Sequence, residues 1–233
     1  MSRPSVFYEL RAMPLFSGLD DNNLVSLATQ GRIALIEAGS LVATEQDPAD
    51  DFHVVLSGKA KLYKRSPGGK EQIVYVFEAG EPFCLCAMQT GERYPLSAEA
   101  MERTRLFTVS ALSFADALES DPHLAFNVIK VLSRRLKEAM ALIESLSLKD
   151  LSERVAAFLI QARPSSGDST YSLPVSQREI AKIVGVTPEA LSRHFKKFAD
   201  MGVVAVSGRA VVILNQKRLE ELAGTIEKED HAE

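Results

Sequence analysis

The chain has 233 residues, 46% of them hydrophobic and 25% charged, with a formal net charge of -4, which suits two folding units rather than one small domain. No run of about 18 apolar residues occurs, which excludes a spanning helix, and the N-terminus MSRPSVFYELRAMPLF has no apolar core followed by a small-residue cleavage site, so no signal peptide is expected. The only two cysteines, Cys84 and Cys86, are too few for a disulfide framework and fit a reducing, cytoplasmic setting.

Residues 5–30 read as one or two short helices broken at Gly18-Leu19-Asp20. From Gly31 to about Val109 the texture changes to short apolar runs, FHVVL (52–56), AKLYK (60–64) and QIVYVF (72–77), separated by turn signals. Many short strands punctuated this regularly predict an antiparallel sandwich or barrel. GGK at 68–70 lacks the GxxxxGK[ST] spacing of a phosphate loop and reads as a hairpin turn. A long helix is predicted from Pro122 to Ser147, started by Asp121-Pro122. Along it Ile129, Leu132, Leu136, Ala139, Ile143 and Leu146 recur at alternating steps of three and four, the a/d seam of a coiled coil.

A further helix is expected around Leu151–Ala162, then a loop, RPSSGDSTYSLP. In VSQREIAKIVGVTPEALSRHFKKFADMG, Ser176 is placed to cap one helix with Glu179 completing a capping box. Gly185 supplies a turn, and Thr187 caps a second helix with Pro188 at its first position. VVAVSGRAVVIL then reads as a hairpin turning at Ser207-Gly208. Two helices, a tight turn and a hairpin make a winged helix-turn-helix, which binds double-stranded DNA. Charge agrees: between Val175 and Arg218 there are eight Lys/Arg against three Asp/Glu, a local +5 on a remainder of -9. Phosphate answers to the local field, so an acidic chain can carry a basic module.

These segments together resemble the CRP/FNR family of bacterial transcription regulators over nearly the whole chain. MPLFSGLDDNNLVSLA is similar to the family's N-terminal helices, FHVVLSGKAKLYKRSPGGKEQIVYVFEAGEPF to its β-roll, and RRLKEAMALIESLSLKDLSERVAAFLI to its dimer helix and the helix after it. One departure is Gln46, where the family has glycine before an Asp-Pro turn. The resemblance implies an α+β fold of three parts. An antiparallel β-roll like a cyclic-nucleotide-binding domain occupies 1–120. A dimerisation helix follows at 121–149, and a winged helix-turn-helix occupies 150–233. It further implies a homodimer, RNA polymerase as a partner, and no enzymatic role; no nucleophile–base set is present. A cyclic-nucleotide-binding interaction subunit without DNA activity is the alternative from another class.

In the second helix Glu189, Ser192 and Arg193 match the E-x-x-S-R pattern of the FNR-like branch and share one face. Arginine can donate twice to guanine and a carboxylate can accept from cytosine. With Pro188 where the cyclic-AMP branch has a further arginine, half-sites of TTGA type are implied. Ser176, Gln177, Arg178, Thr187 and Arg209 occupy positions that touch phosphate in the family, contacts that fix register rather than sequence.

Where nucleotide-binding relatives carry a phosphate cassette, this chain has FCLCAMQTGERYPLSAEA. Cys84, Leu85 and Tyr94 replace glycine, glutamate and arginine, while Ala139 and Met140 replace the helix hydroxyls. Arg93 beside Tyr94 is the nearest substitute cation. An anionic ligand would lose counter-charge and hydrogen bonds there, which argues against cyclic AMP. Two cysteines cannot ligate an iron–sulfur cluster. The converted pocket, Phe83, Cys84, Leu85, Cys86, Met88, Tyr94, Ala139 and Met140, is apolar and rich in sulfur. FCLC resembles the FCMH stretch of the family's carbon-monoxide-sensing haem regulator, and YPLSAEA the nitric-oxide-responsive branch. Haem b, with Cys84, Cys86 or Met140 as axial candidates, is therefore one expectation; an organic hydrophobic ligand, a thiol switch and an unliganded pocket remain open beside it. His53, His123 and His194 show no metal spacing, and His194 is expected on the recognition helix near DNA.

Overall fold

The computed structural model describes residues 4–83, 85, 93–164 and 166–224. The chain divides into two compact units, Met1–Ala139 and Met140–Glu233. The first opens with a short helix α1 (Phe7–Arg11), a 3-10 turn (Pro14–Phe16) and α2 (Asp21–Gln30), which starts where the Asp20 side chain accepts from the Asn22 N–H. Eight strands follow: β1 (Arg32–Ile36), β2 (Leu41–Ala43), β3 (Asp51–Ser57), β4 (Ala60–Arg65), β5 (Glu71–Phe77), β6 (Pro82–Phe83), β7 (Ser97–Ala100) and β8 (Thr104–Ser110). They form two antiparallel four-stranded sheets, ordered β1-β8-β3-β6 and β2-β7-β4-β5.

Strand β3 is buried along almost its whole length because each face has its own core. Phe52, Val54 and Leu56 join Phe107 and Val109 of β8 under the helices, against Leu10, Phe16, Leu24 and Leu27. Val55, one step out of phase, faces the roll interior with Leu106, Phe77, Phe83 and Tyr94. That is the period-two alternation of a pleated strand used on both sides. The GGK segment lies in the β4–β5 hairpin, where Gly69 donates to Ser66 O at 2.9 Å.

Helix α3 (Ala111–Ser120) is capped by Ser110, and α4 (Pro122–Leu148) follows directly. Asp121 joins them to the N-terminal helices. Its carboxylate accepts from the N–H of His123 at 3.0 Å, from the N–H of Asp20 at 3.2 Å and from Asn23 Nδ2 at 3.1 Å. These donors hold its pKa down against the effect of burial.

Gln46 has φ 74°, the only non-glycine residue with positive φ among those described. The turn demands a left-handed residue where glycine was expected. Gln46 N–H donates to Tyr94 O and Tyr94 N–H to Asp47 O, both at 2.9 Å, so pairing across the turn holds the strained residue in place.

The second unit contains α5 (Leu151–Gln161), β9 (Thr170–Ser172), α6 (Gln177–Val184), α7 (Pro188–Asp200), β10 (Val204–Ser207), β11 (Ala210–Ile213) and α8 (Gln216–Leu222). Two sequence expectations need correction here. The segment read as a loop before α6 contains β9, which pairs with β11 and completes a three-stranded sheet ordered β10-β11-β9. Tyr171 makes this possible: its ring is buried and its hydroxyl donates to Leu159 O at 2.5 Å. The wing also turns one residue later than expected. Ser207 pairs with Ala210, leaving Gly208-Arg209 as the two loop residues, with Gly208 at φ 58°, the positive φ that two-residue hairpins require.

Candidate nucleic-acid interface and effector chamber

Helices α6 and α7 are set by local chemistry. Ser176 Oγ accepts from the Glu179 N–H at 3.3 Å, and Lys182 Nζ reaches the Glu179 carboxylate at 3.1 Å. Gly185 ends α6 in the left-handed conformation, φ 80°, the usual stop for a helix because no Cβ opposes it. Thr187 Oγ1 then accepts from Ala190 N–H at 3.3 Å with Pro188 opening α7. Arg154 of α5 fixes the turn by donating to Val184 O at 3.0 Å. Ile180, Ala181, Val184, Leu191, Phe195 and Phe198 are buried.

That inward face fixes the outward one. Glu189, Ser192, Arg193 and Lys196 are all exposed at i, i+3, i+4 and i+7 of α7, a single stripe along the helix. Glu189 is held below the ordinary carboxylate pKa, first by its own backbone N–H, then by Thr187, with Arg193 adding to the effect. It therefore presents a charged acceptor beside a charged fork of donors. His194 lies on α7 as expected, yet it is directed inward. Its Nδ1 lies 3.3 Å from Ser152 Oγ, its ring meets Phe198 edge-on, and burial lowers its pKa. One residue past Arg193 is about 100° further round the helix, enough to leave the outer stripe.

Of the five residues assigned to phosphate, Ser176, Arg178 and Thr187 are placed at the two helix starts and all three are exposed. The other two are engaged within the protein. Gln177 Nε2 donates to Gly208 O at 2.8 Å, and Arg209 donates to Leu173 O through Nε at 2.9 Å and Nη2 at 2.7 Å.

In the first unit, Phe83 and Tyr94 are buried in the roll interior with Phe77, while Leu85 packs into the other core, under the helices. The expected pocket is thus split between two faces of a sheet. Cys84, Cys86 and Met88 lie outside the described residues. Ala139 and Met140 are exposed positions of α4. Tyr94 donates its hydroxyl to Asp51 O at 3.2 Å, and Arg93 donates to Gln46 O, so this guanidinium already serves the turn.

Two features of this unit were not anticipated. His53 pairs with Phe83 across β3 and β6, stacks on its ring at 4.8 Å and places Nδ1 3.0 Å from Thr108 Oγ1. Burial pushes its pKa down to about 4, so it is a neutral imidazole at pH 7. The F-H-V-V-L alternation held the signal, because His53 is in phase with the interior residue Val55. The second feature is Arg135 of α4, whose guanidinium lies 3.4 Å from the Tyr75 ring centroid and 4.8 Å from that of Phe77. Glu81 accepts from Arg135 at 3.3 Å and from Arg134 and the Tyr75 hydroxyl at 3.1 Å. Desolvation lowers Arg135 to about 10 and raises Glu81. Phe77 also touches Phe83 at 5.1 Å, so one ring joins the roll interior to the α4 cation.

The seam residues of α4 are uncovered: Ile129, Leu132, Leu136, Ile143 and Leu146 are between 38% and 64% exposed, and Ala139 is exposed with them. Among the described residues no helix is long and apolar enough to cross a membrane.

Residues 35–121 match the cyclic nucleotide-binding domain family, and residues 153–222 match the Crp-like helix-turn-helix domain family. The transcriptional activator protein Anr of Pseudomonas protegens is 30% identical over 219 residues, 91% of this chain and 88% of its own length. The nitrogen fixation regulation protein FixK of Bradyrhizobium diazoefficiens is 29% identical, also over 219 residues, covering 92% of this chain and 91% of its own. The solved structure of FixK2 from Bradyrhizobium japonicum superposes with a TM-score of 0.72 at 27% identity, over 82% of this chain and 96% of that one. The matched relatives are transcription regulators rather than enzymes, and the matched helix-turn-helix region contains α6 and α7. The chain belongs to the CRP/FNR family of DNA-binding transcription regulators.

Proposed function

We propose that this regulator acts as a homodimer joined along the α4 seam, reads TTGA-type inverted repeats through Glu189, Ser192 and Arg193, and responds to an apolar effector held by the β-roll. The observation that carries the DNA reading is the exposed stripe on α7, held outward by the buried Leu191, Phe195 and Phe198. Arg193 is the guanine donor and Glu189 the cytosine acceptor. Ser176, Arg178 and Thr187 sit at helix starts, where free N–H groups and positive charge favour phosphate. RNA polymerase is the partner this reading implies.

Two half-sites about one helical turn apart present Arg193 twice. Arg193→Ala is expected to weaken binding by about 1–3 kcal/mol per half-site and to relax preference at the guanine, measured by titration against base-substituted duplexes. An unchanged base preference would remove Arg193 from the readout.

For the effector, support lies in the aromatic interior. Phe77, Phe83 and Tyr94 are buried there, and Arg93 is spent on a backbone carbonyl. A phosphate brought among these rings would be desolvated without a partner, whereas an apolar group gains from burial. Haem is the specific form we favour for sensing nitric oxide or another diatomic gas, with Cys84, Cys86 and Met140 as axial candidates. The rings of Phe77, Phe83 and Tyr94 would offer it apolar contacts, and bound haem would supply the gas-binding iron. Haemin added to the purified protein is expected to give a sharp Soret band saturating at one per subunit. Broad absorption that never saturates would leave an organic ligand or a thiol response.

A further inference from the structure

We infer that Arg209 and Gln177 are positioning residues that lock the wing to the start of α6, so that the phosphate-binding edge is set before DNA arrives. The inference rests on the reading of Ser176 and the α6 start as that edge. The two residues close a ring of hydrogen bonds. From the wing, Arg209 holds the Leu173 carbonyl with Nε at 2.9 Å and Nη2 at 2.7 Å, and the Leu173 N–H returns to Arg209 O at 2.7 Å. From the helix, Gln177 Nε2 holds Gly208 O at 2.8 Å.

Leu173 and Val175 are both buried, so the short run from Leu173 to the cap Ser176 has little freedom once the Leu173 carbonyl is fixed. At the other end Gly208 is the left-handed residue of a two-residue turn, and the Gln177 bond holds its carbonyl. The wing tip and the first turn of α6 therefore move as one edge. Two fixed N–H groups of a guanidinium converge on a single oxygen, which an ammonium on a flexible stem does not reproduce. An edge ordered in advance avoids the conformational cost of ordering it on binding. In this arrangement Arg209 spends Nε and one Nη on the protein, whereas a residue devoted to phosphate would leave them outward.

The test uses the full-length protein and fluorescence anisotropy with two labelled duplexes, a TTGA inverted repeat and a scrambled sequence, from about 50 to 200 mM salt, the range over which phosphate binding is resolved. Gln177→Ala, which removes one ordering hydrogen bond, should weaken both duplexes by about three- to tenfold, and Arg209→Ala, which removes two, by at least as much. The slope of log affinity against log salt should stay at the wild-type value. Arg209→Lys should fail to restore affinity although it restores the charge. A slope reduced by about 0.9 for each phosphate no longer neutralised, with Arg209→Lys near wild type, would overturn the inference in favour of a direct phosphate contact. Unchanged affinity in every variant would overturn it as well. Thermal melts accompany each variant, and if Arg209→Ala unfolds early, Gln177→Ala carries the same comparison. Should TTGA prove not to be the operator, the two duplexes will bind alike in all proteins, which leaves the slope comparison intact.

Discussion

Each helix after Lys149 in the second unit begins with a side-chain cap: Asp150, Ser176, Thr187 and Asn215. In the first unit α1 and the 3-10 turn start without one, and their order comes from Phe7, Leu10, Leu15 and Phe16 buried against strands far away in sequence. Helices α2 and α3 of the first unit do carry caps, at Asp20 and Ser110, so the contrast is one of degree: every helix start of the second unit after Lys149 is fixed locally, whereas α1 and the 3-10 turn depend on contacts across dozens of residues. The same division appears in strained positions. Among the described residues, positive φ falls on glycine alone in the second unit, as at Gly185, Gly202 and Gly208, while the first unit adds Gln46 to glycines such as Gly39 and Gly58. A binding surface that must keep one shape is built from local certainties.

The helix α4 runs through both units, and breaking it has the largest expected effect. Leu136 and Ile143 are 63% and 64% exposed on one stripe, and leaving that stripe in water gains nothing for a monomer. Leu136→Lys with Ile143→Lys should place charges in the shared seam and abolish both the dimer and operator binding. Sedimentation reads the first and gel shift the second. A double variant that sediments as a dimer would show that the seam is not the interface.

Next in size is the pH response of the sensor unit. His53 titrates near 4 when folded and near 6.5 when exposed. Above pH 6.5 the ring is neutral in both states and makes no difference. As the pH falls, the unfolded ring takes a proton while the folded one does not, so stability is lost between 6.5 and about 4. The loss is about 2 kcal/mol by pH 5 and about 3 in full. His53→Gln should flatten that dependence in urea unfolding between pH 7 and 5. A wild-type protein as stable at pH 5 as at pH 7 would mean that the imidazole is not held neutral.

These two regions also differ in how far the sequence discloses them. The caps at Ser176 and Thr187, the Gly185 turn and the apolar stripe of α4 were legible because each depends on residues a few positions apart. The capping box at Asp150 and Glu153 has the same spacing and was open to the same argument. Strand β9 was not legible in that way. Three residues with turn signals on either side carry no period, and their partners on β11 lie some forty positions on. Likewise His53 reads as an isolated histidine until β6 and β8 place Phe83 and Thr108 beside it. The split of Leu85 from Phe83 and Tyr94 follows from the same cause, since one sheet separates two cores that a linear alignment merges into one pocket.

The smallest effect tests strain in the sensor unit. An L-residue in the left-handed region costs about 1–2 kcal/mol, and Gln46 sits there at φ 74°. Its backbone holds two interactions, the N–H to Tyr94 O and the carbonyl to Arg93, neither of which needs the side chain. Gln46→Gly should keep both and remove the steric cost. Against this, glycine brings an unfolded-state entropy of about 0.5–1 kcal/mol, so the expected gain is about 0.5–1 kcal/mol in urea unfolding. Gln46→Ala keeps the strain and should show no gain. If glycine gave nothing over alanine, the turn would not be strained, and the contrast between a sensor that stores strain and a DNA-binding unit that avoids it would lose its clearest example. If instead glycine stabilised the fold and also changed operator affinity, the turn beside Tyr94 would belong to the sensing path itself.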